Sequence, residues 1–224
     1  MELFDQNFLK ILPTFGEFRS IICLKGDLPE KELFDALGLP IIAADGAYNV
    51  LRAKQIKTEV VIGDLDSVGR EISPGTQKIY IENQNQSDFQ KALQYVCEKQ
   101  LEPSIILGIN GGYIDHILNN IAIFSQTNGV TYMPPNLGIM IRKNCTLHFI
   151  EGTKISLFAM PICHLTTQGL FWELDHKKLE FPHFSSCFNR CSSGILKISI
   201  HDGAIFTVVY LEDIVDAGKN RINF

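Results

Sequence analysis

The stretch VVIGDLDS, residues 60–67, runs three β-branched residues and a glycine into two carboxylates spaced two apart. A short, continuous apolar run is the pattern of a strand covered on both faces. Asp64 and Asp66 stand where that strand ends. Aspartate is common in turns because it bonds nearby backbone N–H groups. A pair of this kind is therefore either turn chemistry or the start of a cation site. What stands at the ends of the neighbouring strands decides between the two.

Working outward, FRSIICLKG (18–26), PIIAAD (40–45), QKIYIE (77–82), SIILGI (104–109) and VTYMPP (130–135) read as further strands. Helical patterns lie between them. In SDFQKALQYVCEK, Phe89, Ala92, Leu93, Val96 and Cys97 form one apolar stripe, and Ser87 with Gln90 predicts a capping box. Ile114, Ile117, Leu118, Ile121 and Ala122 predict a second amphipathic helix. Strands alternating with helices predict an α/β layer on a largely parallel sheet. After Pro134-Pro135 the texture changes. Short strands such as LKISIH and IFTVVYLE alternate with the turn signals EGT (151–153), DHKK (175–178), SSG (192–194) and HDG (201–203). This predicts a small all-β sandwich. The expected organisation is an α/β domain over 1–138 followed by a β-sandwich over 139–224.

Asp45 ends one strand, Asp64 and Asp66 end the next, Asp88 opens the following helix, and Asp115 opens the helix after SIILGI. Four successive strand-to-helix crossovers thus carry acids at the edge where open α/β sheets bind ligands. Carboxylates gathered there repel one another unless a cation neutralises them, and oxygen ligands suit magnesium. Gly46, Gly63, Gly111 and Gly112 stand beside these acids and permit close approach of a phosphate. No GxxxxGK[ST] and no GxGxxG after the first strand is present, which argues against a Walker-type NTPase and a dinucleotide oxidoreductase. A triphosphate held by metal and carboxylates fits better.

Composition sets the outer bounds. The 224 residues are 46% hydrophobic and 20% charged, with a net charge of −5. That balance suits a folded globular protein and argues against nucleic-acid binding by bulk charge. No apolar run approaches the roughly 20 residues of a membrane span, and MELFDQNFLK lacks a signal-peptide pattern, so a cytoplasmic protein is expected. Six scattered cysteines are expected to be buried free thiols. Cys187 and Cys191, near His183, leave a zinc site conceivable, although no second cysteine pair has ligand spacing.

Six ordered segments resemble the thiamin pyrophosphokinase (thiamine diphosphokinase) family. ADGAYN (44–49) resembles its ADGGAN, VIGDLDS its IGDFDS, NQNQSDFQKAL (83–93) its DQxxTDxxKAL, and GINGGYIDHILNNI (108–121) its GxxGGRxDHxLxNI. In the second half, TQGLFWELDHKKLEF (167–181) resembles TKGLKWxLxxxxLxF, and SSCFN (185–189) stands where the family has STSN. The resemblance covers nearly the whole chain. It implies diphosphoryl transfer from ATP to the hydroxyethyl oxygen of thiamin, releasing AMP. It also implies an α/β catalytic domain with a β-sandwich, in a homodimer with thiamin between subunits.

Carried over position by position, Asp45, Asp64, Asp66 and Asp88 would be the catalytic and magnesium-binding acids. Gly46, Asn49, Gly111, Gly112, Asp115 and Asn120 would contact ATP. Gln84, Asp115, Trp172, Ser186 and Asn189 would contact thiamin, with the Trp172 indole face against its cationic rings. Read without the motif, the lone tryptophan is a sandwich-core residue. His116 is a candidate base or a helix-packing residue. Two positions depart from the family: Tyr113 replaces an arginine, and Phe188 replaces a serine. They keep two alternatives open, diphosphoryl transfer to another alcohol such as a hydroxymethylpterin, and a non-catalytic thiamin or nucleotide binder.

Overall fold

The computed structural model describes residues 2–69 and 72–213, which divide into two compact units. One unit is 17–133, and the other joins 2–16 to the residues from 134 onward. The first helix, α1 (Leu3–Ile11), therefore belongs with the second unit and not with the domain that the sequence placed it in. The reason is a contact between distant segments: Phe8 and Ile11 are buried, and the Asn7 amide donates to the Leu211 carbonyl at 2.7 Å.

The 17–133 unit is a parallel sheet of β1 (Ser20–Cys23), β2 (Ile41–Ala44), β3 (Val60–Gly63), β4 (Gln77–Tyr80), β5 (Ser104–Leu107) and β6 (Val130–Met133). Pairing gives the order β6-β5-β1-β2-β3-β4. Every residue of β1, β2, β3 and β5 is buried, as continuous apolar strands in a covered parallel sheet must be. Edge strand β4 is largely exposed. The chain runs outward from β1 to β4, then returns to the other side of β1 to lay down β5. That reversal creates a crevice at the carboxyl ends of β1 and β5, where ligands of open α/β sheets sit.

Three helices approach this edge: α3 (Ala47–Ala53), α4 (Asp88–Glu98) and α5 (Ile114–Phe124). A further helix, α2 (Lys31–Leu37), lies between β1 and β2 in sequence. The α4 capping box forms as its sequence predicts. Ser87 Oγ accepts from the Gln90 amide at 3.3 Å, and Gln90 Oε1 accepts from the Ser87 amide at 2.9 Å. Phe89, Ala92 and Val96 are buried and Leu93 is half-buried, but Cys97 at the end of the stripe is exposed.

The predicted α5 stripe does not enter the core. Ile114 is 70% and Leu118 53% exposed, Ala122 is exposed, and Ile117 and Ile121 are half-buried. The buried residues of α5 are instead Ile123 and Phe124 at its end. Periodicity identifies an apolar face but not what covers it.

The second unit contains β7 (Asn136–Ile141), β8 (Cys145–His148), β9 (Lys154–Gln168), β10 (Lys177–Glu180), β11 (Ser186–Arg190) and β12 (Ile195–Tyr210), all paired antiparallel. Two long strands organise it. The end of β12, Ile205–Tyr210, pairs with β7, and the start of β9 pairs with β11. The other halves pair with β8 and β10. The two halves of β9 and β12 thus carry different neighbours, β7 and β11 on one and β8 and β10 on the other, a pairing that suits a sandwich. HDG (201–203), expected to be a turn between two short strands, is instead an irregularity inside β12, where the register with β9 shifts on both sides. Gly203 sits there at φ 80°, and a Cβ would strike the Ile162 carbonyl oxygen.

Cys23, Cys145, Cys163 and Cys191 are buried, whereas Cys97 and Cys187 are exposed, which corrects the expectation of uniformly buried thiols. Cys187 and Cys191 form no metal-ligand cluster among the described residues. No described helix is long and apolar enough to cross a membrane.

Candidate active site

β2 delivers Asp45, and β3 delivers Asp64 and Asp66. Ligand atoms of these three carboxylates lie within 4.8 Å of one another. The backbone works to bring them there. Asp45 adopts φ 39° and Leu65, between the other two, φ 60°; both are left-handed conformations that residues with side chains rarely adopt. Gly63 is required beneath them. It has φ 152°, and a Cβ would come within 2.9 Å of Asp88 Oδ1 and 3.0 Å of the Asp45 Cβ. The sequence shows that glycine precedes Asp64, but not that two acids converge on it.

The three acids have different environments. Asp45 is buried, and its Oδ1 has no hydrogen-bond partner. Burial raises its pKa, opposed by the Ser67 hydroxyl and the Gly46 amide and reinforced by the charges of Asp88 and Asp66. Asp64 is held below the ordinary carboxylate range, first by the Gln84 amide, 2.8 Å from Oδ2, and next by the Asp66 backbone N–H. A buried carboxylate oxygen without a partner, aimed into an all-oxygen cluster, is the donor set that fits a hard divalent cation.

Asp88 stands beside this group but outside it. Its Oδ1 accepts from Lys91 at 2.8 Å, and that lysine is only 2% exposed. Asp88 therefore holds a buried cation in place while lining the adjacent cleft.

That cleft has a volume of about 500 Å³, within the range of small-molecule sites. It lies at the strand reversal. Asp45, Gly46, Asp88, Gly111, Gly112 and Asn120, all expected from sequence, line it. Lys25, Ser67, His116 and Asn119 line it as well. Lys25 follows β1, and its aliphatic stem packs against Gly46, where a Cβ would lie 2.9 Å from its Cδ. Among the described residues its ammonium has no ion-pair partner. Its place is not legible in sequence, because LKGD (24–27) matches no phosphate-binding pattern.

Three residues expected at the ligands do not line the cleft. Asn49 is a loop strut: its amide donates to the Ser67 carbonyl at 2.6 Å, and its Oδ1 accepts from the Gly69 amide at 3.1 Å. Gln84 orients Asp64 as described. Asp115 is exposed, does not line the cleft, and accepts from the His116 amide at 2.9 Å. Tyr113, which stands where the family has an arginine, is exposed at the start of α5, its ring at a steep angle to that of His116 with centroids 6.0 Å apart.

In the second unit Trp172 is 64% exposed, so the core reading of the lone tryptophan is set aside. Ser186 is half-buried and Asn189 is buried. Phe188, at φ 53°, stacks on Tyr210 with centroids 5.1 Å apart.

The catalytic-domain pattern of thiamin pyrophosphokinases matches residues 39–132, and the vitamin B1 binding domain pattern matches 139–205. The chain belongs to the thiamin pyrophosphokinase family. Thiamine pyrophosphokinase 2 of Arabidopsis thaliana is 21% identical over 233 residues, covering 91% of this chain and 83% of that protein. Thiamine pyrophosphokinase 1 of Oryza sativa subsp. japonica is 22% identical over 180 residues, covering 68% of this chain and 66% of the rice protein. In fold the chain resembles the crystal structure of yeast thiamin pyrophosphokinase, with a TM-score of 0.73, 17% identity, and coverage of 92% and 90% of the two chains. It also resembles that of thiamine pyrophosphokinase from Bacillus subtilis, with a TM-score of 0.71, 21% identity, and coverage of 86% and 99%. The acid cluster and most of the cleft lining fall inside the part matched as the family's catalytic domain, Leu24 and Lys25 precede it, and Trp172 falls inside the vitamin B1 binding domain.

Proposed function

We propose that this protein moves the terminal diphosphoryl group of ATP to the hydroxyethyl oxygen of thiamin. The observation that carries the reading is the Asp45, Asp64 and Asp66 cluster beside a nucleotide-sized cleft in a chain of this family. The thiamin oxygen attacks the β-phosphorus as the bond from that phosphorus to the α,β-bridging oxygen breaks. AMP leaves with the bridging oxygen, and the hydroxyl proton passes to a carboxylate of the site or to water. A magnesium ion held by Asp45, Asp64 and Asp66 would neutralise charge on the phosphate oxygens. Gln84 fixes the Asp64 carboxylate. Lys25 supplies a cation to the cleft where Tyr113 supplies none. Trp172 offers an exposed indole face to a cationic thiazolium.

The open apolar face of α5 supports a homodimer, since contiguous exposed apolar surface marks interaction sites. Six unpaired cysteines suit a reducing compartment such as the cytosol. The direct test is AMP release from ATP with magnesium and thiamin, against a control without thiamin and a parallel assay with hydroxymethylpterin. Thiamin diphosphate appearing in equal amount with AMP is the expected result. AMP formed only with the pterin would reassign the acceptor. Ligand-induced thermal shifts without AMP would leave a binding protein.

A further inference from the structure

Asn189 was expected to bond the substrate, yet its side chain has no capacity left to do so. It is 1% exposed. Its Oδ1 accepts from the backbone amides of Trp172 at 3.3 Å and Arg190 at 2.9 Å. Its Nδ2 donates to the Trp172 carbonyl at 2.8 Å and to Ser186 Oγ at 3.1 Å. A carboxamide offers two donors and two acceptor positions, and all four are used. Two backbone N–H groups on one side require the oxygen there, so the orientation of the amide is fixed by chemistry.

We infer that Asn189 is a positioning residue that acts on thiamin through Trp172 and Ser186. This rests on the thiamin reading above. One buried side chain grips the Trp172 backbone by both its N–H and its C=O, so an indole that is mostly in solvent is still presented from a fixed backbone. The surrounding loop is tied by Glu173, whose carboxylate accepts from the amides of Gly169 at 2.6 Å and Leu170 at 3.0 Å and from the Thr167 hydroxyl at 2.7 Å. Ser186 is set up from the same amide. Its oxygen accepts from Asn189, which leaves its own proton free, and no other described group takes that proton. Ser186 is thereby arranged as a donor, and its complement is an acceptor such as a ring nitrogen of an aminopyrimidine. The recognised edge is therefore read by one serine hydroxyl, with the asparagine behind it.

The isosteric Asn189→Asp variant tests this. A carboxylate keeps both acceptor contacts but loses both donor contacts, and it draws the Ser186 proton to itself. Expected is a rise of about tenfold in KM for thiamin, with KM for ATP unchanged. Asn189→Asp combined with Ser186→Ala should be no worse than Asn189→Asp alone, because both remove the same donor. The chain has a single tryptophan, so its emission reports Trp172 alone. Without any ligand, Asn189→Asp and Asn189→Ala should lower its anisotropy and raise its quenching by acrylamide. Unchanged Trp172 emission, or additive losses from the aspartate and alanine changes, would overturn the inference. Absence of thiamin-dependent AMP in the unaltered protein would sink the thiamin reading instead, and the fluorescence of the free protein would still decide whether Asn189 holds Trp172.

Discussion

At the scale of single residues, the site separates acids that converge from acids that merely lie at strand ends. Asp66→Ala removes one of three clustered carboxylates from an exposed position. It should lower kcat by about 10²-fold or more, while the melting temperature stays within about 2 °C. Near-normal turnover would remove the cluster from the mechanism. Lys25→Ala tests the role proposed for the lysine that lines the cleft. KM for ATP should rise about tenfold with KM for thiamin unchanged, the cost of losing one charge-assisted contact. An unchanged KM for ATP would mean that Lys25 only borders the cleft. The acids were legible because aspartate at a strand end is a local pattern. Lys25 was not, because its place in the cleft depends on where β1 lies among the other strands.

At the scale of elements, α4 and α5 show the same periodic signal with different outcomes. In α4 the stripe meets the sheet, and Phe89, Ala92 and Val96 are buried. In α5 the stripe stays open on the chain, with Leu118 at its middle. Leu118→Glu places a charge on that face. In solution the unaltered protein should have the mass of a dimer by light scattering, and Leu118→Glu that of a monomer with reduced activity. A monomeric unaltered protein would require another partner for this face. Amphipathic periodicity states that a helix needs a cover. It does not state whether the cover comes from the same chain, which is why the α5 stripe predicts an amphipathic helix but not the open face that the structure shows.

Across the whole molecule, burial divides the thiols. Desolvation raises the pKa of Cys145 and Cys163 to about 11 and of Cys191 to about 12, and pushes Cys23 up as well. A group with a raised thiol pKa is protonated at pH 8 and unreactive, since thiolate is the nucleophile. A thiol reagent at pH 8 should therefore label Cys97 and Cys187 in the native protein, and the other four only after unfolding. Cys97 should be the slowed member of the pair wherever its bond to Glu102 persists, because that carboxylate raises its pKa. More than two native labels would show that a unit opens well below global unfolding. By itself, the sequence determined the alternation of strands and helices, the change to β-structure after Pro135, the α4 cap and the acids at successive strand ends. Each of these follows from residues within one turn, strand or loop of each other. Only the tertiary structure decided that Lys25 lines the cleft and Asp115 does not, that α1 joins the second unit, and that Asn189 is saturated behind Trp172. Those outcomes depend on strand order and on hydrogen bonds between distant segments, which a local pattern does not encode.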